Sequence, residues 1–269
     1  MRVAVVQLNS QEEPLDNLSR VRHWVAQAAA EGAELVCLPE NFAFMGEEAK
    51  KRSLAERLDG AFPGPILGAL ADCATKHGVW VLGGGMPEKS DDEARPFNTS
   101  VLVDKTGSVV AAYRKVHLFD VSLADGTSYR ESAATSAGAE PLTTELLGVR
   151  LGLTVCYDLR FPELYRRLVD QGARVITVPA AFTLATGKDH WHVLLRARAI
   201  ENQVFVLAPA QNGKHSRGRQ TYGKSIIVDP WGDVLAQCSE GEGFATARLD
   251  FAYQDRVRTS VPCLLHRKW

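Results

Sequence analysis

Five cysteines stand at positions 37, 73, 156, 238 and 263, and one of them has a neighbourhood suited to nucleophilic chemistry. In GLTVCYDLRFPE, Gly152 to Glu163, Cys156 closes an apolar run and is followed within a few residues by Asp158, Arg160 and a helix-patterned segment. A strand-to-helix turn can expose a thiol, and a helix N-terminus or a neighbouring cation lowers its pKa toward the reactive thiolate. The competing reading is a buried structural cysteine, since cysteine is among the most buried residue types. Local sequence leaves both open. Cys37 inside an apolar run and Cys73 in ADCATKHG read as core or helix-face residues, and Cys238 and Cys263 have no activating context.

Other segments offer partners for such a thiol. ELVCLPENF, residues 34–42, delivers Glu40 through Pro39 where a buried strand should end. YRKVHLFD, residues 113–120, sets Lys115 between Arg114 and His117. A lysine at a strand end stabilises an oxyanion if aimed at a reacting carbonyl, although lysines beyond strands are ordinarily solvated. His117 could act as base to a cysteine, or simply pack beside its LF neighbours. In DHWHVLLRARAIENQ, His190 and His192 are two apart and point away from each other on a helix, so they do not form the i,i+4 pair of a zinc helix. Arg198 and Glu201, three apart, are placed to pair on one helix face. The loop QNGKHSRGRQTYG brings Lys214, Arg217 and Arg219 together, either to grip a substrate carboxylate or as a solvated basic loop. No G-x-S-x-G elbow or phosphate-cradling loop occurs, and Gly83 to Gly85 form no dinucleotide fingerprint.

The elements that must position these residues follow a repeating pattern. Val3–Leu8, Leu35–Leu38, Val79–Gly83, Val149–Val155, Arg174–Val178 and Val204–Ala208 read as strands. Asn17–Glu31, Pro65–His77, Glu163–Gln171 and His192–Asn202 read as helices. Two segments, Ser100–Lys115 and Ser225–Ser239, each place an Asp-x-x-Gly turn between alternating strands, predicting hairpins. RVITVPAAF, residues 174–182, echoes ELVCLPENF with Ala180 at the place of Glu40. Two similar halves predict two sheets covered by helices. The Gly/Pro clusters, such as Phe62 to Pro65, are too short for linkers, and EKSDDEARP (88–96) reads as a solvated excursion, so residues 1–269 are expected to form one domain.

The 31 Lys and Arg nearly balance 32 Asp and Glu, giving no global reason to expect nucleic acid or an anionic membrane as partner. A hydrophobic content of 45% suffices for a real core. Scattered cysteines without C-x-x-C pairs argue against disulfides or structural zinc. MRVAVVQLNS shows no signal-peptide pattern and no run approaches the ~20 apolar residues of a membrane span, so a cytoplasmic protein is expected.

LPENF with Glu40, YRKVHLF with Lys115 and CYDLRFPEL with Cys156, in that order, resemble the three signature segments of the nitrilase superfamily of carbon–nitrogen hydrolases. The resemblance runs over essentially the whole chain. It implies a four-layer α-β-β-α sandwich, usually dimeric, working without metal or organic cofactor on a small-molecule amide. By that resemblance Cys156 is the nucleophile, Glu40 the general base and acid, and Lys115 the oxyanion stabiliser together with the Tyr157 N–H. Glu131 in TSYRES stands where the family carries an orienting glutamate. Tyr157, Arg160, Phe182 and Thr183 are the implied substrate contacts. AFTLATGKDHWHVLLRARAIENQ, GRQTYGKSIIVDPWG and VPCLLHRKW look most like the Nit-branch amidases of deaminated glutathione, implying release of 2-oxoglutarate and cysteinylglycine. The alternatives are an ω-amidase forming ammonia from 2-oxoglutaramate, or a catalytically idle interaction module on the same scaffold.

Overall fold

The computed structural model describes residues 1–59, 63–122, 126 and 128–268. Phe62, Thr127 and Trp269, which belong to segments discussed above, lie outside the described residues. In chain order the elements are β1 (Arg2–Gln7), α1 (Pro14–Ala30), β2 (Leu35–Cys37), α2 (Pro65–His77), β3 (Trp80–Glu88), β4 (Phe97–Val103), β5 (Val109–Arg114), β6 (Asp120–Ser122), β7 (Ser128–Arg130), β8 (Leu142–Leu146) and β9 (Val149–Leu153). The chain continues with α3 (Pro162–Asp170), β10 (Val175–Thr177), α4 (Leu184–Asn202), β11 (Phe205–Ala208), β12 (Asn212–Lys214), β13 (Gln220–Tyr222), β14 (Ile226–Val228), β15 (Val234–Gln237), β16 (Gly243–Arg248), α5 (Phe251–Ser260) and α6 (Cys263–His266).

Two six-stranded sheets result, ordered β16-β1-β2-β3-β4-β5 and β15-β14-β11-β10-β9-β8. In each, three parallel strands joined by helices are flanked by antiparallel ones, and the two Asp-x-x-Gly hairpins, β4–β5 and β14–β15, occupy matching ends. The echo is therefore topological as well as sequential: β2 and β10 hold the same place in their sheets. Strand alternation sorts the core. Val3 and Val5 of β1 join the cluster that includes Leu153, Val175 and Trp191, while Ala4 and Val6 pack with Leu18, Val21 and Leu70 of α1 and α2. This is the α-β-β-α layering expected from the sequence.

The structure departs from the sequence reading in places with a clear physical reason. β16 pairs antiparallel with β1, from Arg2 opposite Arg248 to Gln7 opposite Gly243, so a strand near the end of the chain completes the first sheet. α4 starts at Leu184, eight residues before His192. Thr186 and Gly187 in its first turn are weak helix formers, but the N-cap Thr183 accepts the Thr186 N–H, and a Cβ at Gly187 would come within 2.3 Å of Tyr222 Cβ. Close packing on β13 overrides propensity there. Glu88, expected at the start of a solvated excursion, is buried, accepting from Thr99 Oγ1 at 2.6 Å and from Arg114 Nη2 at 2.6 Å.

The two sheets come close together beside the strand ends that carry the site. A Cβ on Gly84 would lie 2.1 Å from Leu38 O and 2.3 Å from Pro179 Cβ, the two prolines' strands approaching from either side. Both clashing groups are backbone or ring atoms that cannot rotate away. Gly84→Ala should therefore destabilise the fold by about 3 kcal/mol or more through overpacking. Urea unfolding checks this, and an unchanged midpoint would contradict the packing described.

Candidate active site

Glu40, Lys115 and Cys156 converge although they come from three separate strand ends, and all are nearly buried, at 3%, 2% and 9% exposure. Pro39 ends the β2 ladder because it has no N–H to give, and the chain turns at Asn41 with φ of 60°. This places the Glu40 carboxylate between the sheets. Lys115 follows β5, its own N–H donated to Asn98 O, so its side chain points inward instead of into solvent. Lys115 Nζ stands 2.9 Å from Glu40 Oε1 and 3.0 and 2.9 Å from the two Glu131 oxygens. One ammonium thus joins two carboxylates.

Further donors fix these carboxylates. Asn98 Nδ2 donates to Glu40 Oε1 at 2.9 Å, and the Ala181 N–H donates to Glu40 Oε2 at 2.9 Å. The Phe119 N–H donates to Glu131 Oε2 at 2.7 Å. Ala181 belongs to the echo segment, so the half without the charge supplies an N–H to the half that has it. Asn98 and the Ala181 N–H went unnoticed in the sequence, where neither residue type signals a role in a charged cluster.

Cys156 opens a 3-10 turn, Cys156–Arg160, with φ of 48°. A β-carbon residue in the left-handed region is strained, and Asp158 holds the turn in place. Its fully buried carboxylate accepts from the Val155 N–H at 2.8 Å, from Tyr113 Oη at 2.8 Å and from the His117 N–H at 3.1 Å. His117 Nδ1 also pairs with Asp158 Oδ1 at 2.7 Å, and its ring stacks on Phe161 at 3.7 Å. His117 is thus committed to the turn, not to the thiol, which removes the Cys-His alternative.

The electrostatics also revise a local expectation. Burial and the adjacent Glu40 carboxylate push the Cys156 thiol well above its ordinary pKa, outweighing Lys115 and the Ala181 N–H, which pull it down. The turn does not generate a resting thiolate. Burial alone would lower Lys115, but Glu131 and Glu40 together raise it, so the ammonium persists. Burial likewise works against the Glu131 carboxylate, yet Lys115 and then Lys51 hold it below the usual range. A neutral thiol beside an anchored carboxylate and a permanent cation is an arrangement able to move a proton as sulfur attacks.

The cluster opens into a cavity of about 590 Å3, counting the open space at its mouth. Tyr157, Arg160, Phe182 and Thr183 all line it, as the sequence suggested, with Arg160 5.1 Å above the Phe182 ring. The basic loop divides. Arg219 lines the cavity, but Lys214 and Arg217 do not. Arg217 turns outward to Glu12 at 3.2 Å and Glu47 at 3.0 Å, and the exposed Lys214 gives only its carbonyl, to Asn9 and Gln11. Their charge is spent on the surface, which corrects their expected grip on substrate. Elsewhere Arg198 pairs with Glu201 at 3.0 Å, while His190 meets Arg160 and His192 meets Gln237, pointing apart as expected.

A family description reading carbon-nitrogen hydrolase matches residues 2–259. The chain belongs to the carbon-nitrogen hydrolase family. This hydrolase is similar to the deaminated glutathione amidase of Synechocystis, with 45% identity over 98% of this chain and 97% of that one. The crystal structure of the Caenorhabditis elegans NitFhit protein superposes with a TM-score of 0.91 at 38% identity, covering 99% of this chain and 65% of that one. A branch 10 nitrilase-superfamily protein from Saccharomyces cerevisiae gives a TM-score of 0.88 at 33% identity, covering 97% and 94%. Among the described residues, no helix of this hydrolase is long and apolar enough to cross a membrane.

Proposed function

We propose that this hydrolase cleaves deaminated glutathione to 2-oxoglutarate and cysteinylglycine. The observation that carries the chemistry is the convergence of Glu40, Lys115 and Cys156 in the lining of one cavity. The substrate is supported by the 45% identical relative named for that activity. An intact triad speaks against an idle scaffold.

An amide is a weak electrophile with a poor leaving group, so a sulfur nucleophile divides the reaction into thioester formation and thioester hydrolysis. Cys156 Sγ attacks the carbonyl carbon as Glu40 takes its proton. Lys115 exchanges one of its two Glu131 contacts for the developing oxyanion, for which the Tyr157 N–H is the second donor on this reading, each donor contributing about 3–4 kcal/mol. Glu40 then passes the proton to the departing nitrogen as the C–N bond breaks. The carboxylate so restored removes a proton from water, which attacks the thioester, and the sulfur leaves and is reprotonated. Glu131 acts by holding Lys115 in place.

Three coarser readings accompany this one. Residues 1–269 act as one domain, supported by the 2–259 match and by a site drawn from both sheets. A homodimer is supported by the exposed apolar side chains of Val193, Ile200 and Trp231, at 66%, 48% and 54% exposure. The five free thiols support a reducing, cytoplasmic setting.

The leaving group provides the test. Product release is measured with deaminated glutathione and with 2-oxoglutaramate at equal concentrations. Faster cysteinylglycine release is expected; much faster ammonia release would replace this reading with an ω-amidase.

A further inference from the structure

The cavity contains a second charged group that the proposed chemistry does not use. Lys51, Glu48 and Arg219 all line it. Lys51 lies in the 3-10 turn Glu48–Leu54, and its side chain is only 9% exposed, with Nζ 2.7 Å from Glu48 Oε2. Arg219 approaches the other oxygen, Nη1 to Glu48 Oε1 at 3.3 Å. That contact is long for a charge-assisted bond, which ordinarily closes to about 2.7–2.9 Å. Among the described residues the Arg219 side chain finds no other hydrogen-bond acceptor, and its buried Nε has no partner at all. The guanidinium centre instead sits 5.7 Å over the Tyr129 ring.

Glu48 thus serves two cations, and the Arg219 guanidinium beside the cavity keeps N–H donors that Glu48 does not take up. Such donors fit a planar carboxylate, which a guanidinium and an ammonium can hold together. Besides Lys115, the cavity is also lined by Arg130 and by Arg160, which lies against Phe182 and His190 and shares none of these contacts. Two separated cationic groups suit a substrate with a carboxylate at each end.

We infer that Lys51 and Arg219 form a carboxylate-binding subsite for the free carboxylate of the leaving amine, with Glu48 as the counter-ion that holds the subsite before substrate arrives. This rests on the amidase reading above. Lys51 becomes a specificity residue, and the incoming carboxylate takes up the Arg219 N–H groups that Glu48 leaves free. A substrate releasing ammonia has no group to place there.

The full-length protein and its Lys51→Met, Arg219→Gln and Glu48→Gln variants are compared on deaminated glutathione, on its C-terminal amide and on 2-oxoglutaramate. Losing either cation should cost deaminated glutathione about 10- to 100-fold in kcat/KM, chiefly through KM, beyond any loss on the other two substrates. Glu48→Gln, which keeps the shape and removes the competing charge, should lower KM for deaminated glutathione selectively. Equal losses on all three substrates, or a raised KM in Glu48→Gln, would overturn the inference. Calorimetric titration of each variant with cysteinylglycine and cysteinylglycine amide separates this from the amidase reading. If the wild type hydrolyses no amide but still prefers the free carboxylate through Lys51 and Arg219, the subsite stands alone; no such preference refutes it.

Discussion

Exchanging Cys156 for alanine abolishes amide hydrolysis, by about 10⁴-fold or more, and leaves the protein folded. The first half follows from chemistry: among the described residues no other thiol lines the cavity, and Glu40 has then no nucleophile whose proton it can take. The second follows from the turn. Asp158 fixes the 3-10 segment through the Val155 and His117 N–H groups and Tyr113, none of which involves sulfur. Alanine tolerates a φ of 48° no worse than cysteine, since both carry one β-carbon. The stability change should stay within about 1 kcal/mol. Steady-state kinetics and urea unfolding measure the two effects on the same preparation. Substantial residual turnover would remove Cys156 from the mechanism.

Replacing Lys115 by methionine produces a loss of both activity and stability, and introduces a pH dependence of folding across neutrality. Methionine fills the volume but leaves Glu40 and Glu131 without their shared cation, at 3% exposure for Glu40 and 11% for the Glu131 side chain. Breaking a buried charge cluster in this way costs about 3–5 kcal/mol. Loss of the oxyanion donor removes a further factor of about 10² to 10³ from kcat.

The pH behaviour follows from the directions of the shifts. In the wild type the Glu131 carboxyl is held below its ordinary value, so its stabilisation is complete above about pH 4.3 and is lost as pH falls through its lower folded value. Lys115 is raised, so its contribution is complete below about pH 10.4 and is lost only as pH climbs through its higher folded value. The cluster is therefore indifferent to pH across neutrality. In Lys115→Met the buried Glu131 carboxylate loses the cation that holds it down while its burial remains, so it prefers to be protonated and the folded state binds more protons than the unfolded one. Stability then falls as pH rises from about 5 to 8. Urea midpoints across that range check the slope, and a flat profile in the variant would mean that Lys115 is not the cation neutralising this cluster.

Much of this was legible in the sequence for identifiable reasons. The apolar runs ending in Pro39 and Pro179 marked equivalent strands, because a proline can close a ladder but not continue one. Glu40, Lys115 and Cys156 were recognisable only as an ordered set; each alone was better explained as an ordinary strand-end or core residue. What stayed hidden depended on the third dimension. The Ala181 N–H that bonds Glu40 has no side-chain signature, and Lys51 sits in a mostly polar, irregular stretch whose burial no periodicity announces. Lys214, Arg217 and Arg219 look alike in a basic loop, yet only the last faces the cavity, because Glu12 and Glu47 draw Arg217 outward. Gly83 to Gly85 were informative by what they were not. They carry no dinucleotide fingerprint, and Gly84 makes room for the opposing Pro179.

The central claim is that acyl transfer passes through the Cys156 sulfur. Acid-quenching the enzyme during turnover of deaminated glutathione, followed by proteolysis and mass spectrometry, tests it directly. The account predicts a 2-oxoglutaryl thioester on the peptide containing Cys156, formed and lost at rates consistent with turnover and absent from Cys156→Ala. Efficient turnover with an unmodified Cys156 peptide at every quench time, together with hydrolysis surviving in Cys156→Ala, would contradict it.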